Sequence, residues 1–251
     1  LIAIDNVPNL DQRDTEDLIG RIRGLRAMGI GVFISCRPSN RQLIHGLGDS
    51  IKVNAQMLKV HAYEYSAWAS AFSISTSLDF YQLTQGVPEL VSALQTGLYG
   101  QGDVAGLLEN EIVNVYGAAL VDLASLDNNA LFCVACLMIL MGEGNIAELE
   151  ACGVRLSMID QSYLVRDYPI FGLDPADRSF TCLGTEDNGR LRLRKLVAEI
   201  RPELVPRAAR ILLKAGRCDA AMDLADAFLD RSVVLELAGQ YGVDLALTGH
   251  G

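Results

Sequence analysis

Two apolar runs, LIAI (Leu1–Ile4) and GIGVFISC (Gly29–Cys36), bracket an amphipathic stretch within the first 36 residues. The stretch between them opens on acids, with Asp14 expected as helix N-cap and Asp17 in the first turn, where the helix dipole favours a carboxylate. Leu18, Ile22 and Leu25 repeat at helical spacing, and Gly29 ends the run. Strand, helix and strand at this length form a βαβ unit, whose crossover makes the strands parallel. Unbroken apolar character predicts strands covered on both faces. Parallel strands end on the same edge. Asp5, at the end of the first, and the SCRPS segment (Ser35–Ser39), at the end of the second, are therefore expected side by side, where open α/β sheets bind ligands.

The parallel pattern does not continue. A third short strand is expected at Ser50–Asn54, followed by helices at Ala62–Phe72, Ser77–Gln85, Pro88–Thr96 and Asp103–Ser125, with Pro88 as a first helical residue. Asp127–Met141 predicts a buried helix. Its apolar run, Ala130–Met141, has 12 residues, too few to span a bilayer. Short helices at Asn145–Cys152 and Ser157–Val165 precede two apolar runs around an Asp-Pro turn, Tyr168–Cys182, which predict a hairpin. From Gly189 the pattern is helical, and LVPRAARILLKAGRCDAAMDLADAF resembles one tetratricopeptide-like helix pair turning at Gly216 and Arg217.

Charge and thiols limit the chemistry. With three histidines in the chain, a histidine metal site or a Ser-His-Asp triad has little to draw on. The six cysteines sit in apolar contexts, the pattern of reduced thiols and of a cytoplasmic protein. Cys133-x-x-Cys136 lies inside the most apolar segment and is expected as core. Residues 42–188 carry five basic residues against 18 acids, whereas residues 189–217 carry nine against two. The basic stretch GRLRLRKL (Gly189–Leu196) is expected as a solvated helix face, or else as a contact for the acidic middle or a partner.

In order and spacing, these landmarks resemble the signal-transduction NTPases with numerous domains (STAND), in particular the ATPase core of large bacterial LuxR-type transcription regulators. LIAIDN resembles a Walker B strand, VFISCRPS a sensor strand, and TQGVP the Gly-x-Pro motif of the helical domain. A winged helix and helical repeats follow. The resemblance covers most of the chain. It implies a mixed α/β and then mainly α architecture in four parts: the end of a nucleotide-binding α/β domain with a partial parallel P-loop-type sheet (1–60), a helical lid (61–125), a winged helix (126–187) and the start of helical repeats (188–251). It also implies Mg²⁺ held by Asp5, ATP or ADP contacted by Arg37, Gly86 and Pro88, and a nucleotide- and inducer-controlled switch acting on transcription. A strand-end carboxylate and an arginine fork suit Mg²⁺ and a γ-phosphate.

Two departures bear on activity. Asn6 stands where the family places a second acid, and an amide cannot serve as a base. No G-x-x-x-x-G-K-[ST] occurs in the 251 residues. The chain alone is therefore expected to be catalytically silent and to bind no nucleotide, as a portion of a longer, slow ATPase. Its expected partners are other domains of that protein, with self-assembly possible in principle and no membrane. The winged-helix region (127–187) carries three basic residues against ten acids, which repels DNA, so DNA contact is assigned to a segment outside this chain. Other readings stay open. Asp5 can cap the turn at Val7–Asn9, Arg37 can be a surface residue near Asp5 or Asp11, and Gly86-Val-Pro88 can be an inter-helix turn. The whole can be a non-enzymatic interaction module, or a receiver phosphorylated on Asp5.

Overall fold

A computed structural model gives the fold and describes residues 1–71, 81, 84–100, 104–126, 128–168, 170–174, 176–182, 187–229 and 231–247. A small parallel sheet at the N-terminus is followed by a mainly helical region. The chain forms two compact units: Leu1–Val53 with Val121–Asp127, and Asn54–Leu120 with Asn128–Gly251.

In the first unit, β1 (Ile2–Val7) and β2 (Val32–Cys36) pair in parallel, with Ile2 opposite Val32, Ile4 opposite Ile34 and Val7 opposite Cys36. The register shifts between Ile4 and Val7. There Asn6 takes φ +52°, a left-handed conformation that asparagine tolerates better than most residues. The crossover helix α1 (Gln12–Ala27) starts one turn earlier than expected. Asp11, not Asp14, is its N-cap, accepting the Asp14 N–H at 2.8 Å. Thr15, Ile19 and Ile22 are the buried positions of α1, the two isoleucines being its apolar ones. With Val7 and with Leu43 of α2 (Arg41–Gly46) the isoleucines form a core packed by Ile4, Leu18, Val32, Ile34 and Cys36.

Two expectations fail here. Residues 50–54 form no strand, and Ile51 is 96% exposed, with no strand beside it among the described residues. Among the described residues the sheet is covered on one face only. Phe33, opposite Ala3 in the register, is 62% exposed, because α1 and α2 pack on the side of Ile4 and Ile34.

The second unit begins with a 3₁₀ turn (Ala55–Leu58) and α3 (Ala62–Ala71). The expected helix at Ser77–Gln85 lies largely outside the described residues. Then come α4 (Pro88–Gly100) and α5 (Val104–Ala124), whose last turn belongs to the first unit. Next is α6 (Asn129–Met141), capped by Asn128, whose side chain accepts the Leu131 N–H at 3.0 Å. Ten of the 13 residues of α6 are buried, as an apolar run without polar interruption requires. Two helices, α7 (Ile146–Ala151) and α8 (Met158–Asp167), precede the hairpin β4 (Phe171–Leu173) and β5 (Ser179–Cys182). A third strand, β3 (Glu143–Asn145), completes an antiparallel sheet in the order β3-β5-β4. Nothing in the sequence marks β3, because three residues carry no period. Helices α9 (Asp187–Ile200), α10 (Leu204–Lys214), α11 (Cys218–Phe228) and α12 (Arg231–Leu247) follow. The α10–α11 turn forms where expected: Gly216 takes φ +74°, and the Arg217 N–H returns to the Leu212 carbonyl at 2.9 Å.

Candidate functional site

The carboxyl edge of the two-stranded sheet brings Asp5 and the Ser35–Ser39 segment together, as parallel pairing demands. Ser35 joins the two strand ends. Its hydroxyl donates to Asp5 Oδ1 and accepts the Asn6 N–H at 2.7 Å. The bulge at Asp5–Asn6 is what turns that N–H toward Ser35. Asp5, two residues before the end of β1 rather than at the expected strand end, therefore holds a fixed orientation while remaining exposed. Its carboxylate is engaged by the neighbouring strand rather than by the turn at Val7–Asn9. Arg37 is exposed at the end of β2, and its backbone carbonyl accepts the Asn40 N–H at 3.0 Å. No ion pair links Arg37 to Asp5 or Asp11 among the described residues.

Beside this corner lies a polar network that the sequence pattern does not announce. Asp122 is only 3% exposed; it accepts the Ser39 N–H at 3.1 Å and the Ser39 hydroxyl. Asn9 Nδ2 donates to Ser39 Oγ at 3.0 Å and to Ser125 Oγ at 3.1 Å. Buried Asn40 donates to the Pro8 carbonyl at 3.0 Å. The loop that follows Arg37 is thereby tied to the β1–α1 loop and to the end of α5. The Asp122 charge also acts on Cys36, whose thiol is pushed up by burial first and by Asp122 second. The available signal was an acid inside the apolar helical pattern ALVDLA.

Gly86 and Pro88 belong to the second unit and have a structural explanation there. Gln85 and Gly86 take φ +44° and +74°, and the Gly86 carbonyl accepts the Val60 N–H at 2.8 Å. A Cβ on Gly86 would lie 2.0 Å from the Val60 carbonyl oxygen, so only glycine fits. Pro88 is the first residue of α4, a position where its missing N–H costs nothing.

Among the described residues no group of three or more His, Cys, Asp or Glu side chains could hold a metal ion. Asp5 and the Ser35 hydroxyl offer a carboxylate and one neutral oxygen. Mg²⁺ bound through so few protein ligands needs substrate phosphates and water for the rest of its shell. No described helix is long and apolar enough to cross a membrane. Comparisons with family models, with curated proteins and with solved structures each return no match.

Proposed function

We propose that the chain is the switching portion of a STAND-type, ATP-dependent transcriptional regulator of the LuxR type, with Asp5 as its magnesium residue and Arg37 as its phosphate sensor. One observation carries this reading: an exposed carboxylate, oriented by Ser35, stands at the carboxyl edge of a parallel βαβ unit, and an exposed arginine follows the end of the adjacent strand. In that role Asp5 positions hydrated Mg²⁺ next to the β- and γ-phosphates, and Arg37 engages the γ-phosphate only before hydrolysis. Three helices with the β3-β5-β4 sheet act as a winged helix, and α10–α11 as the first helical repeat. Gly86 and Pro88 shape the lid turn, with Pro88 packing near the nucleotide base.

The phosphate loop is supplied from outside these 251 residues. The test is made on the complete reading frame. The purified protein is denatured, and the released nucleotide is identified by chromatography. The reading expects bound ADP or ATP, lost on Asp5→Ala and changed in ATP-over-ADP preference on Arg37→Ala. A frame with no G-x-x-x-x-G-K-[ST], together with no bound nucleotide, ends it.

A second reading, a non-enzymatic interaction module, is favoured by the open apolar face at Phe33. It predicts that Asp5→Ala leaves regulation intact.

A further inference from the structure

Helix α9 carries Arg190 and Arg194 at i,i+4 spacing, so both occupy one helix face. The basic stretch was expected to be solvated, yet Arg194 is only 6% exposed. Its Nε donates to the Leu140 carbonyl at 2.9 Å, which satisfies one of the acceptors that the end of α6 leaves open. The remainder of the group is not satisfied. Arg194 Nη2 is buried without a hydrogen-bond partner, and so is Arg190 Nε. Among the described residues neither guanidinium is within ion-pair distance of a carboxylate.

Two further features converge on the same place. The Arg190 guanidinium lies across Gly142, at φ +79°, where a Cβ would meet Nε at 3.4 Å and Cζ at 3.5 Å. Arg217, the N-cap residue of α11, donates from Nη1 to the Glu143 carbonyl at 2.5 Å and from Nη2 to Glu143 Oε1 at 3.4 Å. Burial lowers the Arg194 guanidinium to about 10, and the charges of Arg190 and Arg217 add to that shift while Asp223 opposes it. Of the carboxylates in this region, Glu143 pairs with Arg217, Asp223 acts on Arg194 without an ion pair, and Glu148 Oε2, beside Gly144, is buried without a hydrogen-bond partner. A buried cation with a spare N–H and like charges around it is costly unless an anion joins it.

We propose that Arg190, Arg194 and Arg217 form an oxyanion site at the C-terminal end of α6 that takes a phosphate group, free or esterified on a small molecule. Planar guanidinium forks match the oxygens of a tetrahedral phosphate. Half-buried Arg190 and Arg217 form the entrance, and Arg194 Nη2 is the inner donor. The site lies in the second unit and does not depend on nucleotide binding at Asp5.

The test is a thermal-unfolding titration of the full chain with inorganic phosphate, against sodium chloride at matched ionic strength. Phosphate is expected to raise the midpoint saturably and chloride is not. Among the described residues no hydrogen bond of the Arg190 side chain holds the fold, and its Nε has no partner. Arg190→Gln, checked for native circular dichroism, is therefore expected to weaken phosphate binding about tenfold, as loss of one charge-assisted contact does. Arg217→Gln is the second variant should Arg190→Gln not fold. Tighter binding of phenyl phosphate than of inorganic phosphate marks an esterified ligand, and equal or weaker binding marks the free ion. An equal midpoint shift in chloride, or unchanged affinity in the folded variant, overturns the proposal and leaves Arg194 as a cap for α6 alone.

Discussion

Replacing Gly86 by alanine isolates the turn that leads into α4. The added Cβ would lie 2.0 Å from the Val60 carbonyl oxygen and 3.0 Å from its carbon, so backbone rather than a flexible side chain has to move. At φ +74° an alanine also costs about 1–2 kcal/mol relative to glycine. Moving Val60 away forfeits its 2.8 Å hydrogen bond to the Gly86 carbonyl, worth about 1 kcal/mol. The sum is about 2–3 kcal/mol, before any loosening of the buried neighbours Val87 and Leu90. For a unit of this size that lowers the melting midpoint by roughly 5–10 °C. Urea unfolding followed by far-ultraviolet circular dichroism measures it, with Pro88→Ala as the control. Pro88 sits at the first position of α4, so its replacement is expected to cost less than about 1 kcal/mol. A Gly86→Ala protein within about 0.5 kcal/mol of the parent would refute the steric argument, since even the φ penalty would then be missing. If that variant instead lost nucleotide at unchanged stability, Gly86 would be a contact residue rather than a turn residue.

Asp122→Ala removes the acceptor for both the Ser39 N–H and the Ser39 hydroxyl and is expected to cost about 3 kcal/mol, read by urea unfolding. Asp122→Asn removes the charge that raises Cys36. The pH profile of Cys36 alkylation then moves to lower pH, but only part of the way, because burial is the larger cause. Burial pushes the Cys136 and Cys182 thiols up to about 12, so native alkylation at pH 8, resolved by peptide mass spectrometry, is expected to spare both while labelling half-buried Cys36, Cys133 and Cys152. Leu137→Ala, at a fully buried position of α6, is expected to lose 2–5 kcal/mol in the same denaturant assay.

Much of the architecture was legible because it is written in local periods. The βαβ order followed from two apolar runs and one helical stripe, and the α10–α11 pair from a repeating apolar pattern around a glycine. What failed was non-local. Residues 50–54 have strand-like composition, but a strand exists only where a neighbour supplies hydrogen bonds, and Ile51 has none among the described residues. The strand β3 is the converse: three residues without β character become a strand because β5 lies alongside, with Glu143 opposite Thr181. At the candidate site, parallel pairing alone placed Asp5 and Ser35 at one edge. The bulge that orients Asp5 depends on Asn6 adopting φ +52°, which a sequence pattern does not encode.

The sequence by itself determined which segments are apolar, where most of the longer helices begin and end to within about a turn, and that two carboxyl-terminal strand ends lie side by side, while the short helix α2 carried no signal that was read. It could do so because side-chain spacing and backbone preference act over a few residues. Only the tertiary structure decided which polar groups are buried. Asp122 sits 83 residues from the Ser39 that it binds. Arg194, from the most basic stretch of the chain, lies against a helix end 54 residues earlier. Burial and partnership are properties of the surroundings, and contacts at such separations are made only when the chain has folded.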